Sequence, residues 1–582
     1  MKKLTKILVV ALLVLVSTIA LVACNDENTH KGDFTHNIEN VDDLKKVSEM
    51  LGADYDKGVF ELKSDIIVNE NWESIGSSVD NSFRGTFNGN NHTITYKIEI
   101  PEPTERDVKN ALVNEKYFGL FGVIHNAKIS NLNLNVIIKV PADATTFYVG
   151  GLAGLMSGNN TITNVTIQGS VETTMGNICK FIDEETNWRE SERYEMTGYV
   201  GSLAGLIQGS TSLNTISSSA VVKVNAFNAG GTVSGVNDLF VGGIVGSMRT
   251  VNLSSLRANT EFGSAKNLTY TGVVSAIGSQ VNVGGIFGAA YRINDGEKWF
   301  TNSTSVSAQA YKRLRIGGIA GIVDRVNVNK TKVDLDNINA EIFSNSVSRL
   351  FNVGGVVGYA ANFSNINNAI SNVNNIVLST DINNYTGGLV GMLHYSNISN
   401  SVASGDLCYY LSSNIKSIME IGYVSYEGNM QKNPYYIYSG GIAGRVYGES
   451  QIDNVSTNFK AYQGLVGEVA NAIEIVIIKE GEGETYDSWF ASTVYNAGMT
   501  TKKAEGDITD GEQKYKVIHN YKLENLVNGQ TNLSFVTDNS RCYKDKSSYS
   551  KAEEWYNGIG VEQADTTVYN TLYNTINANI NA

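Results

Sequence analysis

Phe147-Tyr-Val-Gly-Gly-Leu-Ala-Gly-Leu-Met156 decides the fold, because weaker copies of it return down most of the chain. Aligned on the last glycine, the copies are Gly122 (GLFG), Gly154 (GGLAG), Gly205 (GSLAG), Gly246 (GGIVG), Gly288 (GGIFG), Gly321 (GGIAG), Gly358 (GGVVG), Gly391 (GGLVG), Gly444 (GGIAG) and Gly467 (GLVG). Self-similarity at tens of residues marks a repeat architecture, in which each unit buries its apolar face against its neighbours. The aligned glycines lie 32, 51, 41, 42, 33, 37, 33, 53 and 23 residues apart. Intervals near 33 suit one coil with modest turns, and the excess of the long ones must leave the stack as loops.

The physics within a repeat is readable. The residue after the second glycine is Leu120, Leu152, Leu203, Ile244, Ile286, Ile319, Val356, Leu389, Ile442 or Leu465, always a branched aliphatic. The next residue ranges from Ala153 to Phe287, so the first series is expected to be the stacked interior column. The glycines fit either a wall pressed against the next coil or a corner at positive φ. About ten residues on comes aliphatic-x-Asn: Ile129-Ser-Asn131, Ile162-Thr-Asn164, Ile366-Asn-Asn368, Ile398-Ser-Asn400 and Ile452-Asp-Asn454. Such asparagines are expected to stack along the axis and to tolerate left-handed backbone. The Gly321 repeat has Thr331 at that distance, and the ladder is expected to break there.

At 582 residues the chain exceeds the usual single compact core, whereas a solenoid core grows along one axis. Its four prolines and abundant Gly, Asn, Ser, Thr, Val and Ile are strand-and-turn composition. Leu44, Val47, Met50 and Leu51 recur at helical spacing within 40–51, with Asp42 and Asp43 suited to a first turn, which predicts a small N-terminal capping helix. Residues 471–582 lose the repeat and carry Val568, Leu572, Ile576 and Ile580 four apart, predicting a C-terminal cap or small appended α+β region.

The chain opens Met1-Lys2-Lys3, runs apolar from Ile7 to Val22 and meets Leu21-Val22-Ala23-Cys24. A basic start and an apolar run too short to span a bilayer describe an export signal over 1–23. The last four residues resemble the lipobox of bacterial lipoproteins, which implies cleavage before Cys24 and a diacylglycerol on its sulfur. Residues 24–39 then read as a flexible tether. Removing 1–23 deletes Lys2, Lys3 and Lys6 and no acid, leaving 42 basic against 58 acidic side chains, a net charge of −16. That balance argues against nucleic acid and against a polybasic grip on lipid, so attachment to the outer face of a membrane falls to the lipid at Cys24.

The order of the capping helix, GVFELKSDI at 58–66, WESIG at 72–76, FRGTFNGNNHTI at 83–94 and the glycine repeats resembles bacterial surface proteins with GLUG motifs. Among these is the solenoid region that precedes the protease domain of IgA-cleaving surface enzymes. The resemblance covers about 40–470 and implies an all-β, right-handed parallel β-helix. The departure is chemical. Zinc proteolysis needs His-Glu-x-x-His, and none of His30, His36, His92, His125, His394 and His519 begins it, so the protease activity is not carried over.

Other chemistry is thin. Cys179, Cys408 and Cys542 form neither a disulfide framework nor a zinc spacing. Asp507 to Gly511 reads as an Asp-Gly turn rather than a calcium loop, and no cofactor is expected. A carbohydrate-active β-helix enzyme would draw on Asp295, Glu297, Asp324, Asp334, Asp336 and Asp453, of which Asp334 and Asp336 share a strand face; a solvated wall explains them equally well. The unusual surfaces are a charged insertion with Trp188 and a tyrosine-rich one with Tyr409, Tyr410, Tyr423, Tyr426, Tyr435, Tyr436 and Tyr438. Amphipathic aromatics of this kind suit contact with a host protein or glycan. The expectation is therefore a lipid-anchored, non-catalytic adhesion or interaction module at the cell surface, with a polysaccharide-cleaving enzyme and a structural spacer as alternatives.

Overall fold

The computed structural model describes residues 34–101, 113–142, 144–174, 196–226, 238–250, 262–342, 350–379, 384–411, 423–426, 429–432, 437–447, 450–465, 478–479, 499–510, 513–523 and 566–582. The coils stack with every wall in parallel pairing. In one coil, wall a is Ala144–Gly150, wall b is Ala153–Ser157 and wall c is Thr161–Thr174. Wall a pairs with Val113–Phe118 before it and Thr197–Gly201 after it. Wall b pairs with Phe121–His125 and Ala204–Gln208, and wall c with Lys128–Pro141 and with Ser212–Ser218 and Val221–Asn225. This is an all-β parallel β-helix, and it continues to Ile437–Gly440, Ala443–Tyr447 and Gln451–Leu465.

The long repeat intervals leave register intact. Thr174 pairs with Pro141 and Thr197 with Thr146, so the coil resumes in step after residues 175–195. It resumes again at Ile437, opposite Asn384, after an antiparallel hairpin of Tyr423–Tyr426 with Asn429–Lys432.

One core runs the length of the stack, from Ile38 to Val455. The predicted column from Leu120 to Ile442 is buried throughout. The following residues, Phe121, Ala153, Ala204, Val245, Phe287, Ala320, Val357, Val390 and Ala443, are buried as well, which corrects the expectation that one series alone faces inward. The chain bends at the glycines, so strict strand alternation is suspended and two successive side chains reach the core.

Close approach, not positive φ, explains the repeat glycines. A Cβ on Gly151 would sit 2.4 Å from the Ser202 carbonyl oxygen of the next coil. On Gly205 it would sit 2.6 Å from the Val149 nitrogen and 2.7 Å from the Tyr199 oxygen, both backbone atoms of wall a. Backbone cannot retreat from such a contact without breaking its ladder.

Positive φ is concentrated instead at two corners. At the b–c corner Asn126, Arg292, Arg325, Asn362 and Tyr395 adopt it, and within wall c so do Asn131, Asn164, Thr215, Asn267, Lys298, Lys330, Asn368, Asn400 and Asn454, which occupy one register column. Asparagine amides bond from coil to coil: Asn164 to Asn131 at 2.9 Å, Asn400 to Asn367 at 2.9 Å and Asn454 to Asn400 at 2.6 Å. The break occurs at Lys298 and Lys330, beside Thr331, and also at Thr215. A second ladder, Asn294–Asn327–Asn365–Asn397, bridges the lysine gap at 2.8–3.0 Å per step.

At the N-terminal end the helix is Val41–Lys46, capped by Asn40, whose side chain accepts from the Asp43 N–H at 3.1 Å, with Leu44 buried. The sheet starts earlier than the expected tether boundary at 39, because Thr35–Ile38 pairs with Val59–Leu62. At the other end Met499–Asp510 and Gln513–Leu523 pair antiparallel, with Asp510 opposite Gln513 across a two-residue connection. The helix Thr566–Asn581 lies against the outer face of wall c, where Tyr569, Ile576 and Ile580 meet Ile370 and Val402. The helix face that carries Leu572, Ile576 and Ile580 thus lies on the side of the rod.

Two outcomes follow for stability. Gly205→Ala should cost about 1–3 kcal/mol through the backbone clash, and Leu152→Asp about 4 kcal/mol through lost burial and an unpaired carboxylate, whereas Lys139→Asp on the exposed wall should shift thermal unfolding little; equal shifts for the three would contradict the stacking. Thr215→Asn should stabilise by about 1 kcal/mol, since asparagine tolerates the left-handed backbone that a β-branched residue resists; a lower melting temperature would refute this.

Candidate functional site

Walls a and b close on each other outside the core as well as inside it. The glycine exemplified by Gly205 lets wall b lie against the backbone of wall a, so outward side chains of the two walls meet in a re-entrant elbow. Tyr117, Tyr148, Tyr199 and Phe240 stand in register on wall a, each two residues before the first turn glycine or its equivalent. Their rings stack at 4.9, 5.4 and 5.1 Å with planes within 5–8° of parallel. They pack on Val123, Leu155 and Leu206 of wall b in an apolar cluster separate from the core. Burial, reinforced by Glu115, raises the Tyr148 phenol above its ordinary range, and its hydroxyl donates to Glu115 Oε1 at 3.0 Å.

Farther along the same column the chemistry turns polar: Phe240 is followed by Asn282, Arg315, Asn352 and Tyr385. Opposite them wall b presents Ser247, Ala289, Ile322, Tyr359, Met392 and Arg445. At the outer end of wall b come Arg249, Tyr291, Asp324 and His394. Three guanidiniums lie over rings: Arg249 over Tyr199 at 5.5 Å, Arg315 over Tyr359 at 5.1 Å and Arg445 over Tyr385 at 5.3 Å. The Tyr359 hydroxyl and His394 Nδ1 are 2.9 Å apart. Burial, with repulsion from Arg313 next, lowers Arg315 to about 10. Burial also raises Asp324, against the Asn362 amide bonded to it at 2.7 Å and Arg325 at 3.6 Å. On the rim Phe363 at φ 68 is 72% exposed and Tyr395 at φ 47 is 41% exposed. Exposed aromatics held in left-handed backbone point outward at some conformational cost.

This arrangement suits recognition. Arginines on aromatic faces bind anionic groups by paired N–H donors, and ring faces accept apolar or sugar surfaces. Among the described residues no three His, Cys, Asp or Glu side chains group to hold a metal. Of the carboxylates weighed for catalysis, Asp334 and Asp336 share the outer face of wall c as expected, and the group is neutralised by wall contacts: Asp295 pairs with Lys266 at 2.6 Å, Glu297 with Lys330 at 3.4 Å, and Asp334 with Lys332 at 3.0 Å. Asp336 accepts from Asn374 at 3.1 Å and Asp453 is exposed, while Asp324 alone of the six stands in the elbow.

Of the contact residues expected from sequence, Tyr438 alone of those whose backbone is described shares the elbow register. Cys24, Trp188, Tyr435 and Tyr436 lie outside the described residues. Tyr409 and Tyr410 belong to Asn397–Leu411, Tyr423 and Tyr426 to the hairpin, and Tyr438 stands opposite Tyr385 in the elbow register; their side chains lie outside the described set. The elbow itself escaped the sequence reading, although its signal was present in the residue two before each glycine pair.

No family model matches the sequence, and no curated protein matches it. Among solved structures it is similar to the crystal structure of a "putative immunoglobulin A1 protease" from Bacteroides ovatus, at 13% identity and TM-score 0.27, over 71% of this chain and 83% of that one. The fold assignment rests on the pairing and register above, not on that likeness.

Asp324 makes the elbow sensitive to pH. Its raised folded pKa means the fold binds a proton that the unfolded chain releases, so stability falls as pH rises from about 4 through the folded value. Asp324→Asn should therefore melt higher than the parent at pH 7, with the gap closing as the pH is lowered toward 4; a gap that is constant with pH would show that the carboxylate is not strained by burial.

Proposed function

We propose that the protein is a lipid-anchored bacterial surface β-solenoid that acts as a non-catalytic interaction module, with the outer elbow as its contact face. The observation that carries this reading is the aromatic stack from Tyr117 to Phe240 and, farther along the same side of the rod, the arginines mounted on rings. Tyr148 and Tyr199 are buried and brace the wall, while the arginines mounted on rings and the exposed Phe363 and Tyr395 offer pre-ordered contact groups at low entropic cost. A solenoid sets such groups in line at multiples of one coil height, which matches extended ligands better than a single pocket does. The Leu21-Val22-Ala23-Cys24 stretch supports attachment, since each buried acyl CH2 contributes about 0.8 kcal/mol to membrane binding.

Two measurements test the two halves of the proposal. Cys24→Ala should move the protein from the membrane fraction to the soluble fraction or leave it unprocessed; undiminished lipid labelling would refute the anchor. Residues 25–582 on an array of glycans and host surface proteins should retain a defined subset without changing it. Cleavage of any arrayed glycan would overturn the non-catalytic reading.

A further inference from the structure

We infer that the elbow between Arg249 and Arg445 binds an anionic carbohydrate, a polymer whose sugars carry carboxylate or sulfate groups. This rests on the elbow being the contact face and names the class of ligand it takes.

The central group is Arg315. Its Nε has no hydrogen-bond partner, and its Nη1 reaches only Asn282 Oδ1 at 3.4 Å. The charged neighbours that act on it are Arg313, which repels it, and more weakly Asp238. Among the described residues no carboxylate pairs with it or with Arg249, whose Nε is also unpartnered. A guanidinium withdrawn from water without a counter-charge is costly to hold, and an arriving oxyanion removes that cost. The planar fork matches carboxylate and sulfate with two parallel N–H donors, which the ring beneath does not obstruct.

Spacing selects a polymer. Arg249, Arg315 and Arg445 belong to the coils of Gly246, Gly321 and Gly444, two and three coils apart along the rod. At roughly 4.8 Å per coil the arginine backbones recur about 10 and 14 Å apart along the axis, each side chain leaning toward a ring of the neighbouring coil. Tyr199, Tyr359 and Tyr385 lie beneath them, and the exposed faces of Phe363 and Tyr395 border the same stretch. An acidic peptide fits less well. Strand addition needs a free sheet edge, and here walls a and b are paired on both sides within the stack. A ligand in the elbow must be recognised by its side groups and ring faces.

The test uses the full-length protein in detergent, titrated calorimetrically with a heparin oligosaccharide, an oligogalacturonate, a neutral malto-oligosaccharide and polyglutamate. At least one of the two anionic sugars should bind, more weakly as salt rises, and which one binds separates sulfate from carboxylate. Arg315→Gln should weaken that binding about tenfold, the equivalent of about 1.4 kcal/mol, with unchanged circular dichroism. Arg249→Gln provides a second variant should the first fold poorly, and the exposed Lys139→Gln should have no effect. Equal binding of the neutral sugar or of polyglutamate, or no loss in either arginine variant, overturns the inference. So does a failure of both anionic sugars. If the array retains a ligand in that case, the interaction reading stands alone; if the array is also blank, both fall.

Discussion

The rod depends on one approach distance. Wall b can fold back against wall a only while the position of Gly205, and its equivalents in the other coils, carries no side chain, because wall a's backbone lies within contact of where a Cβ would be. Two apolar systems follow from that single allowance. Inside, the bend sends a pair of consecutive residues such as Leu152 and Ala153 into the common core. Outside, it brings Tyr148 and Tyr199 onto Leu155 and Leu206 in a cluster of their own. The same glycine therefore closes the core and creates the outer elbow.

The corners answer a different requirement. A coil must turn sharply, and a residue in left-handed backbone does so at every level of wall c, from Asn131 to Asn454. Asparagine meets the backbone demand and also supplies an amide that bonds to the coil below, so neither function is sacrificed. Where Lys298 and Lys330 take the position, the left-handed turn survives but the amide ladder is lost. Lys330 instead reaches Glu297, and the neighbouring column Asn294–Asn327–Asn365–Asn397 maintains the polar stitching.

Much of this was legible in the residues, for reasons that differ by element. The glycine period, the buried column through Leu152 and the asparagine corners are imposed by close packing and backbone geometry, which act on residue type directly. The capping helix was legible because Asn40, Asp42 and Asp43 sit where a helix start requires them. The boundary at Thr35 was not, since the pairing of Thr35–Ile38 with Val59–Leu62 is a contact between distant segments that leaves no local pattern. Nor was the elbow. Tyr148, Asn282 and Arg315 occupy equivalent positions in their repeats, but their union into one surface requires knowing that wall b folds back outside wall a. The tyrosines between 409 and 438 were conspicuous by composition alone, and composition does not place a side chain.

The helix Thr566–Asn581 has a consequence for the order in which the molecule is completed. It covers Ile370 and Val402 on wall c, residues made more than 160 positions earlier in the chain. Synthesis proceeds from the N-terminus, and a solenoid can accrete coil upon coil behind the leading end. The strip on wall c must then wait, uncovered and adhesive toward any other unfinished chain, until Thr566–Asn581 emerges to seal it. The rod can grow progressively, but this strip of its flank is covered only once Thr566–Asn581 has been made.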